Sequence, residues 1–205
     1  VIKKIELSQF SHPRKGGIKA IKVTETADTL IRVKRLKEGE EILLVTSKGQ
    51  AIRFKSEDVR AMGRAAAGVG GIKLGKGDSV VSLEVLPIGK EANKFAVLTI
   101  TKKGYGKRTE IEDYRLTGRA GKGVINMKVT DKTGDIVTSQ SVLENDNIIV
   151  TTKKGIVIRS PVKNIRVMGR ATQGVRLINL KDGDRVSDLS RIPSVEEEEK
   201  MVEGE

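Results

Sequence analysis

The feature of this sequence that most constrains its fold is an internal repeat of about 50 residues. Two short landmarks recur three times in the same order. A Lys-Gly pair begins at residues 48, 103 and 154, and a Gly-Arg-Ala triplet begins at residues 63, 118 and 169. Both landmarks are therefore offset by 55 and then by 51 residues. Equal offsets at two separate landmarks indicate repeated structural units.

A partial fourth copy lies at the beginning of the sequence. In the segment 1–23, Lys4 aligns with Arg53 of the next copy, and Phe10 aligns with Val59. This copy has Pro-Arg-Lys-Gly in place of the Gly-Arg-Ala triplet and lacks the strand that opens the others. We therefore divide the chain into four units, called the first to the fourth below, and an acidic tail at 195–205. The predicted units are 1–39, 40–93, 94–145 and 146–194.

The three complete units have the pattern of β-strands. The segments 40–47, 94–102 and 147–153 are rich in Val, Ile, Leu and Thr, and each leads into a Lys-Gly turn, which predicts a hairpin. A third strand is predicted after each Gly-Arg-Ala loop, over GGIKL, VINMKV and RLINL, and a fourth strand after the next turn. Four strands per unit predict an all-β, propeller-like array of about four blades. A solenoid of β-units is the alternative.

The charge of the chain favours a polyanionic partner. There are 39 Lys plus Arg against 27 Asp plus Glu, a net charge of +12. The tail alone carries −5, so residues 1–194 carry +17. A body this basic is typical of nucleic-acid binding. Because only 2% of the residues are aromatic, the chain is poorly equipped to stack single-stranded bases, and a duplex held by its phosphates is the favoured partner.

Basic residues recur at one strand position in all four units. Each could face a partner, or it could lie over a blade edge and pair with the polar residue five positions on, and both interpretations stay open. These cations are Lys4, Arg53, Arg108 and Arg159. The polar residues five positions on are Gln9, Asp58, Asp113 and Asn164.

The Gly-Arg-Ala loops supply a second set of candidate DNA contacts. Arg64, Arg119 and Arg170 are flanked by small residues that allow a phosphate to approach closely. Arg60, Arg115 and Arg166 each follow a hydrophobic residue, and strand alternation turns them outward. The remaining members of the predicted DNA-binding set are Arg14, Lys15, Lys122 and Arg176. The loop glycines are interpreted as turn formers, although their backbone N–H groups could also bind phosphate.

Enzymatic chemistry finds no support in the sequence. Without cysteine there is no disulfide, thiolate metal site or thiol nucleophile, and no phosphate-binding loop for ATP is present. Tyr114 aligns with the hydrophobic residues of the other units, and Tyr105 occupies a variable strand position, so neither is expected to be catalytic. His12 has no metal-ligand spacing around it. We therefore expect a module without catalytic residues, cofactor or metal.

The repeated motifs resemble those of a known family. The recurring [K/R]-x(4)-[Q/D/N]-hydrophobic segment and the Gly-Arg-Ala-x-x-Gly-Val loop are similar to those in the C-terminal domain of the DNA gyrase A subunit or of the paralogous A-type protein of topoisomerase IV. The resemblance covers residues 1–193. It implies a β-pinwheel whose neighbouring blades exchange strands and whose basic perimeter bends duplex DNA. It also implies, as partners, the rest of the A subunit, together with the ATPase B subunit, of a type IIA topoisomerase.

Two departures from the family pattern are evident. Gyrase-type members usually have six blades, whereas this sequence contains about three and a half to four. The family's Gln-Arg-Arg-Gly-Gly-Lys-Gly element is absent, and the nearest similar stretch is Pro-Arg-Lys-Gly-Gly at 13–17. We therefore do not expect this chain alone to wrap DNA as the intact subunit does.

Other interpretations stay open at this point. The array could be a scaffold for proteins, with charge that only confers solubility, or it could bind RNA. The acidic tail is expected to be a solvated, disordered segment, or a segment that competes with DNA for the basic perimeter. No apolar run reaches the roughly 18 to 20 residues needed to span a bilayer, so a cytoplasmic location without membrane contact is expected. The family resemblance further implies association with the nucleoid.

Overall fold

The fold is described from a computed structural model, which describes residues 1–13, 15–23 and 28–194. Two predictions lie outside these residues, the one for Arg14 and the one for the acidic tail at 195–205. No helix in the described part of the chain is long and apolar enough to cross a membrane. The prediction of an all-β chain is confirmed, since the only helical segments described are short 3-10 segments.

Three β-hairpins form the centre of the sheets, as the strand pattern predicted. In each hairpin the turn contains the Lys-Gly pair, and its glycine has a positive φ of 95° at Gly49, 79° at Gly104 and 83° at Gly155. A glycine adopts this conformation without the strain that a Cβ would cause. The hairpin strands are β1 (Glu41–Thr46) with β2 (Gln50–Lys55), β4 (Phe95–Thr101) with β5 (Tyr105–Glu110), and β8 (Asn147–Thr152) with β9 (Val157–Pro161).

A third long strand pairs antiparallel with the first strand of each hairpin. These strands are β3 (Val80–Leu86), β7 (Ile136–Leu143) and β11 (Val186–Ile192). They are the inner strands of the array, because β7 lies between β3 and β11 and contacts both. The Ser82 hydroxyl donates to the Ser139 carbonyl at 2.5 Å, which joins β3 directly to β7. The hairpin strands β2, β5 and β9 therefore lie toward the outer edge of each sheet.

Neighbouring sheets exchange a very short strand. The strands β6 (Val124–Ile125) and β10 (Val175–Arg176) each pair with the outer hairpin strand of the preceding unit. The same register recurs at three junctions, with Val69 opposite Ile2, Val124 opposite Ala51 and Val175 opposite Gly106. Two sheets thereby gain a fourth strand, and the sheet of the fourth unit has three in the described chain.

The exchanged strands are much shorter than predicted from GGIKL, VINMKV and RLINL. After two residues the chain turns around the hairpin of the preceding unit. The backbone N–H groups of Asn126 and Met127 both donate to the Gly49 carbonyl, and those of Leu177 and Ile178 both donate to the Gly104 carbonyl. These bonds end the ladder, because they bend the backbone away from the sheet edge.

Short 3-10 segments connect the outer strands to the exchanged strands. They span Leu7–Phe10, Ser56–Asp58, Ile111–Asp113 and Val162–Asn164, and a fifth spans Gly89–Lys94 before β4. The residue after the second, third and fourth of these turns is a buried hydrophobic, namely Val59, Tyr114 or Ile165. The predicted core role of these positions is confirmed, whereas Phe10 at the equivalent position is half-buried.

The hydrophobic core consists of three clusters, one between each pair of adjacent units. Leu43, Tyr114 and Met127 belong to the cluster between the second and third units. Ile148 and Ile165 belong to the next cluster, between the third and fourth units. Full burial of a large hydrophobic side chain stabilises a fold by roughly 1.5–3 kcal/mol. Each unit therefore depends on its neighbours for most of its core.

Gly123 is expected to be essential for the exchange of strands. It has a φ of +76°, and a Cβ added there would lie 2.2 Å from the carbonyl oxygen of Ala51, on the strand that it joins. The substitution Gly123→Ala should lower the free energy of unfolding by about 2 kcal/mol or more. Gly118→Ala is the matched control, because a Cβ there meets no atom within 4 Å and φ is not positive. Urea denaturation of both variants tests the prediction, and equal losses would contradict it.

Candidate nucleic-acid interface

Three equivalent loops cover the outer edges of the first three units. We call the segments 59–69, 114–124 and 165–175 the rim loops. Each rim loop starts beside the outer strand position of the preceding unit, where parallel bridges join Ala61 to Lys4, Leu116 to Arg53 and Val167 to Arg108. Each loop ends in the exchanged strand on the same edge. The rim loops therefore place their side chains on the perimeter of the array, away from β3, β7 and β11.

The strand cations hold the rim loops to the sheets. The Lys4 ammonium donates to the Ser56 carbonyl at 2.9 Å. The Arg53 guanidinium donates to the carbonyls of Ile111 and Tyr114 at 2.9 and 3.0 Å. The Arg108 Nε donates to the Ile165 carbonyl at 2.6 Å. All these acceptors lie at the 3-10 turn of the following unit, so the cations connect consecutive units.

One interpretation paired each strand cation with the polar residue five positions later. Among the described residues, Arg53 and Arg108 have other partners than Asp58 and Asp113. Arg53 instead forms an ion pair with Glu41, on the neighbouring strand β1. Arg108 is 7% exposed and lies 3.8 Å from a carboxylate oxygen of Glu144. The residue five positions on is the last residue of the 3-10 turn, which turns the chain away from the strand. These contacts favour the packing interpretation of the strand cations, and DNA contact at these residues stays a prediction.

Arg159 occupies the same position in the fourth unit but has a different environment. It is exposed, and in the described part of the chain no segment pairs with the outer edge of β9. Its guanidinium has no partner among the described residues. The repeat therefore contains one free copy of a cation that is otherwise used in packing.

The residues after the buried hydrophobics provide the clearest free cations. Arg60, Arg115 and Arg166 are exposed, as strand alternation predicted. Within residues 1–13, 15–23 and 28–194, their guanidinium groups have no hydrogen-bond or ion-pair partner. All five N–H donors of each group remain available to solvent or to a ligand.

The arginines of the Gly-Arg-Ala triplets have a shared anchor. Arg64, Arg119 and Arg170 each donate through one terminal nitrogen to an equivalent backbone carbonyl of the preceding unit. The acceptors are Lys19, Gly70 and Ile125, at 3.3, 3.0 and 2.9 Å. Arg119 makes a second bond through Nε to the Asp58 carbonyl at 2.9 Å. One or two carbonyls occupy only part of each guanidinium, so donors remain for a phosphate.

The other predicted contacts differ in their surroundings. Lys15 and Lys122 are exposed. Arg176 is also exposed, but it donates to the Tyr105 hydroxyl at 3.0 Å and its guanidinium lies 5.4 Å from the centre of that ring. Contact between any of these residues and DNA stays a prediction, as does contact by the rim-loop arginines.

Sequence reasoning missed two lysines beneath the rim loops. The Lys107 side chain is fully buried, and its ammonium donates to the carbonyls of Gly169 and Arg170, both at 2.7 Å. Burial, opposed by Asp113 and reinforced by repulsion from Arg170, lowers the pKa of Lys107 to about 8. Lys3 lies at the equivalent position in the first unit. Ile52 and Ile158 at the same repeat position were the signal that this position points inward.

The residues considered for other chemistry do not form a site. Tyr114 is fully buried, its hydroxyl donates to Asn126, and burial raises its pKa. Tyr105 is buried as well. His12 is exposed in a loop. Within the described residues, no three carboxylate or histidine side chains come together in a way that could hold a metal.

Comparison with known sequences identifies a matching family model over most of the chain. Residues 1–37, 40–87, 96–142 and 146–193 match the model described as the DNA gyrase C-terminal domain, beta-propeller. The chain is 41% identical over 200 residues to the DNA gyrase A subunit of Salmonella typhimurium, covering 98% of this chain and 22% of that protein. It is 36% identical over 205 residues to the DNA gyrase A subunit of Chlamydia pneumoniae, covering 100% and 24%. The chain thus spans about a quarter of the length of these relatives.

Two solved structures have the same architecture. The C-terminal domain of DNA topoisomerase IV superposes with a TM-score of 0.87 at 24% identity, covering 98% of this chain and 62% of that one. The DNA gyrase A C-terminal domain superposes with a TM-score of 0.78 at 28% identity, covering 87% and 59%. The predicted pinwheel fold is confirmed by these similarities.

Arg108 and Arg159 offer a test of the packing role within one chain. Arg108→Ala leaves the Ile165 carbonyl without its donor and opens a buried space, so we expect a loss of about 1.5–3 kcal/mol in the free energy of unfolding. Arg159→Ala removes the equivalent but exposed side chain and should change it by less than about 0.5 kcal/mol. Urea denaturation measures both. Similar values for the two variants would show that Arg108 does not stabilise the junction.

Proposed function

Because the chain belongs to the DNA gyrase C-terminal domain family, we propose that it is a non-catalytic module that binds and bends duplex DNA. The family resemblance inferred from the repeated motifs is confirmed. One observation carries the proposal further: an exposed arginine without a partner among the described residues recurs at the same position of three successive rim loops, at Arg60, Arg115 and Arg166. Regularly repeated cations on a perimeter suit a ligand with regularly repeated negative charges.

Phosphate contact explains why repetition is useful here. Duplex DNA carries one negative charge per roughly 1.7 Å of its axis, and each neutralised phosphate releases condensed counterions. Bending a duplex by 40 to 90° over 20 to 30 base pairs costs on the order of 1 to 6 kcal/mol. Several contacts placed along a curved perimeter can offset this cost. Such contacts carry no base information, so we propose binding with little sequence preference.

The burial of both tyrosines favours duplex DNA over a single strand as the ligand. Bases of a single strand would need exposed aromatic platforms, but Tyr105 and Tyr114 are both buried. A structured RNA or an acidic protein would also respond to the positive charge, so both are outcomes of the binding test. Salt-insensitive binding of a protein ligand, or preference for structured RNA over duplex DNA, would contradict the proposal.

In the parent enzyme we propose a division of labour. This chain would supply curvature and charge on the perimeter, so that a bound DNA segment is presented to a catalytic core elsewhere in the A subunit. The partner B subunit would hydrolyse ATP. The proposed setting is a type IIA topoisomerase in a bacterial cytoplasm, associated with the nucleoid. We propose that the perimeter is built from the four units, with the boundaries given above.

The free arginines of the rim loops are the first targets for mutation. Changing Arg60, Arg115 and Arg166 together to alanine should lower duplex affinity and reduce the slope of log K against log salt by about 2 to 3 in magnitude. Stability should be unchanged, because the side chains have no partner in the described chain. Fluorescence anisotropy with a 40 to 60 base-pair duplex (roughly two bending segments) over a salt series measures the effect.

A matched control removes the same charge from another surface. Lys76, Lys153 and Arg185 are exposed and lie in the turns before β3 and β11 or just after β8, near the inner strands. Changed together to alanine, they should alter affinity and its salt slope much less than the rim substitutions. Equal effects of the two triple variants would mean that only net charge matters, and the rim would lose its assigned role.

The anchored arginines form a second, distinct test. Changing Arg64, Arg119 and Arg170 together to alanine should also lower affinity and flatten its salt dependence while the fold survives. A small loss of stability is expected, since each side chain donates at least one hydrogen bond to a preceding unit. Unchanged affinity would assign these arginines to packing alone.

A further inference from the structure

The side chain beneath the Gly-Arg-Ala loop varies among the units. At the junction of the third and fourth units it is Lys107, whose ammonium bonds to two consecutive carbonyls of the loop, Gly169 and Arg170, at 2.7 Å each. No carboxylate of the described chain pairs with this ammonium. A buried charge is costly unless it is hydrogen-bonded. Because only these backbone carbonyls bond to the Lys107 ammonium among the described residues, the charge is stable only while the loop keeps them in this conformation.

The first junction repeats this arrangement. Lys3 donates to the carbonyls of Arg64 and Ala66 in the next rim loop, at 2.5 and 2.9 Å, and to Ala20 at 3.0 Å. Burial and repulsion from Arg64 lower the pKa of Lys3, in the same direction as for Lys107. Two junctions thus combine a lysine with the carbonyl of the loop arginine itself.

The middle junction is a natural comparison, because Ile52 takes the place of the lysine. There the loop has a different backbone: Ala120 has a φ of +65°, and its N–H donates to the Gly71 carbonyl at 2.7 Å. Arg119 bonds to two carbonyls, of Asp58 and Gly70, whereas Arg64 and Arg170 each bond to one. In the loop without a lysine beneath it, more N–H donors of the arginine are therefore bonded to the protein.

We propose that the residue at positions 3, 52 and 107 sets the conformation of the following Gly-Arg-Ala loop, and that Lys3 and Lys107 are positioning residues that couple protonation to phosphate binding by Arg64 and Arg170. The coupling rests on the proposed DNA-binding function. The conformational part does not, since it concerns contacts within the chain.

The coupling follows from the charges that face Lys107. These are Arg170 from the rim loop, which repels the ammonium, and Asp113 from the 3-10 turn, which attracts it. Tyr114 nearby in the core stays neutral because burial raises its pKa. A phosphate bound to Arg170 would cancel the repulsion and stabilise the protonated lysine. DNA binding is therefore accompanied by proton uptake, and affinity falls as the pH rises through about 8, the pKa of Lys107.

Global stability should respond to pH in the opposite direction. The pKa of Lys107 is about 8 in the folded chain, compared with 10.5 for a free lysine side chain. Between these values the unfolded chain binds the extra proton, so the contribution of this group to stability rises with pH. Stability and affinity therefore change in opposite directions as the pH rises. A loss of affinity at high pH cannot be explained by a loss of stability from Lys107.

The first experiment measures loop conformation without DNA. Amide hydrogen exchange is compared for wild type, Lys107→Ile and Ile52→Lys. Each variant receives the side chain that the other junction has at the equivalent position. Lys107→Ile should accelerate exchange of the Thr172 amide, which donates to the Gly169 carbonyl, severalfold. Ile52→Lys should alter exchange of the Ala120 amide, which donates to the Gly71 carbonyl. Lys107→Met serves if the isoleucine variant does not fold. Unaltered exchange in both loops would overturn the positioning role.

The second experiment measures duplex affinity at pH 7 and pH 9 at constant salt. A pKa increase of roughly 0.5 to 1 unit on binding corresponds to a loss of about twofold to fivefold in affinity over this interval. Wild type should show this loss, and Lys107→Ile should show a smaller one. Equal pH dependence would overturn the coupling. If wild type binds no duplex at low salt, the proposed function fails, while the exchange experiment still decides the conformational claim.

Discussion

The pairing of a two-residue strand from one unit with the sheet edge of the unit before it determines the rest of the structure. At this contact the glycines at 68, 123 and 174 have positive φ and lie so close to the preceding unit that an added Cβ would meet a backbone carbonyl within 2.6 Å. The contact closes the outer edges of the sheets of the second and third units. It also fixes where the rim loop ends, and a parallel bridge to the same preceding unit fixes where the loop begins. The position of every loop arginine therefore depends on these two contacts.

The basic residues of the chain form two groups that differ in their environment. Arg53, Arg108 and Lys107 have little exposure and donate to carbonyls of the following unit, so they connect units and are poorly placed for a ligand. Arg60 and its equivalents lie a few residues away and have no protein partner in the described chain. A net charge of +12 therefore overstates the charge available to the proposed DNA ligand. Only the cations of the perimeter without a partner in the described chain are fully available.

The sequence predicts those features that depend on local pattern. Hairpins and inner strands follow from β-branched runs and Lys-Gly turns, and Val59 and Tyr114 follow from alternation with the repeat. The exchanged strands are shorter than the sequence predicts. Their length is set by hydrogen bonds to a hairpin carbonyl of the preceding unit, and the local sequence pattern does not encode this contact. Arg108 and Arg159 show the same limit: they have equivalent sequence positions, and only the presence of a covering loop buries one of them.

The perimeter is consequently regular in spacing but not in chemistry. Arg60, Arg115 and Arg166 are equivalent in exposure, whereas the neighbouring Gly-Arg-Ala arginines differ in how many carbonyls they contact. With isoleucine beneath its loop, Arg119 has two protein acceptors and fewer donors left for phosphate than Arg64 or Arg170. In the proposed complex, a bent duplex would therefore be held by one free arginine from each rim loop and by a second set of arginines whose bonds to the protein differ. In the proposed complex, the contacts that offset the bending cost would be strongest at the junctions where a lysine supports the loop.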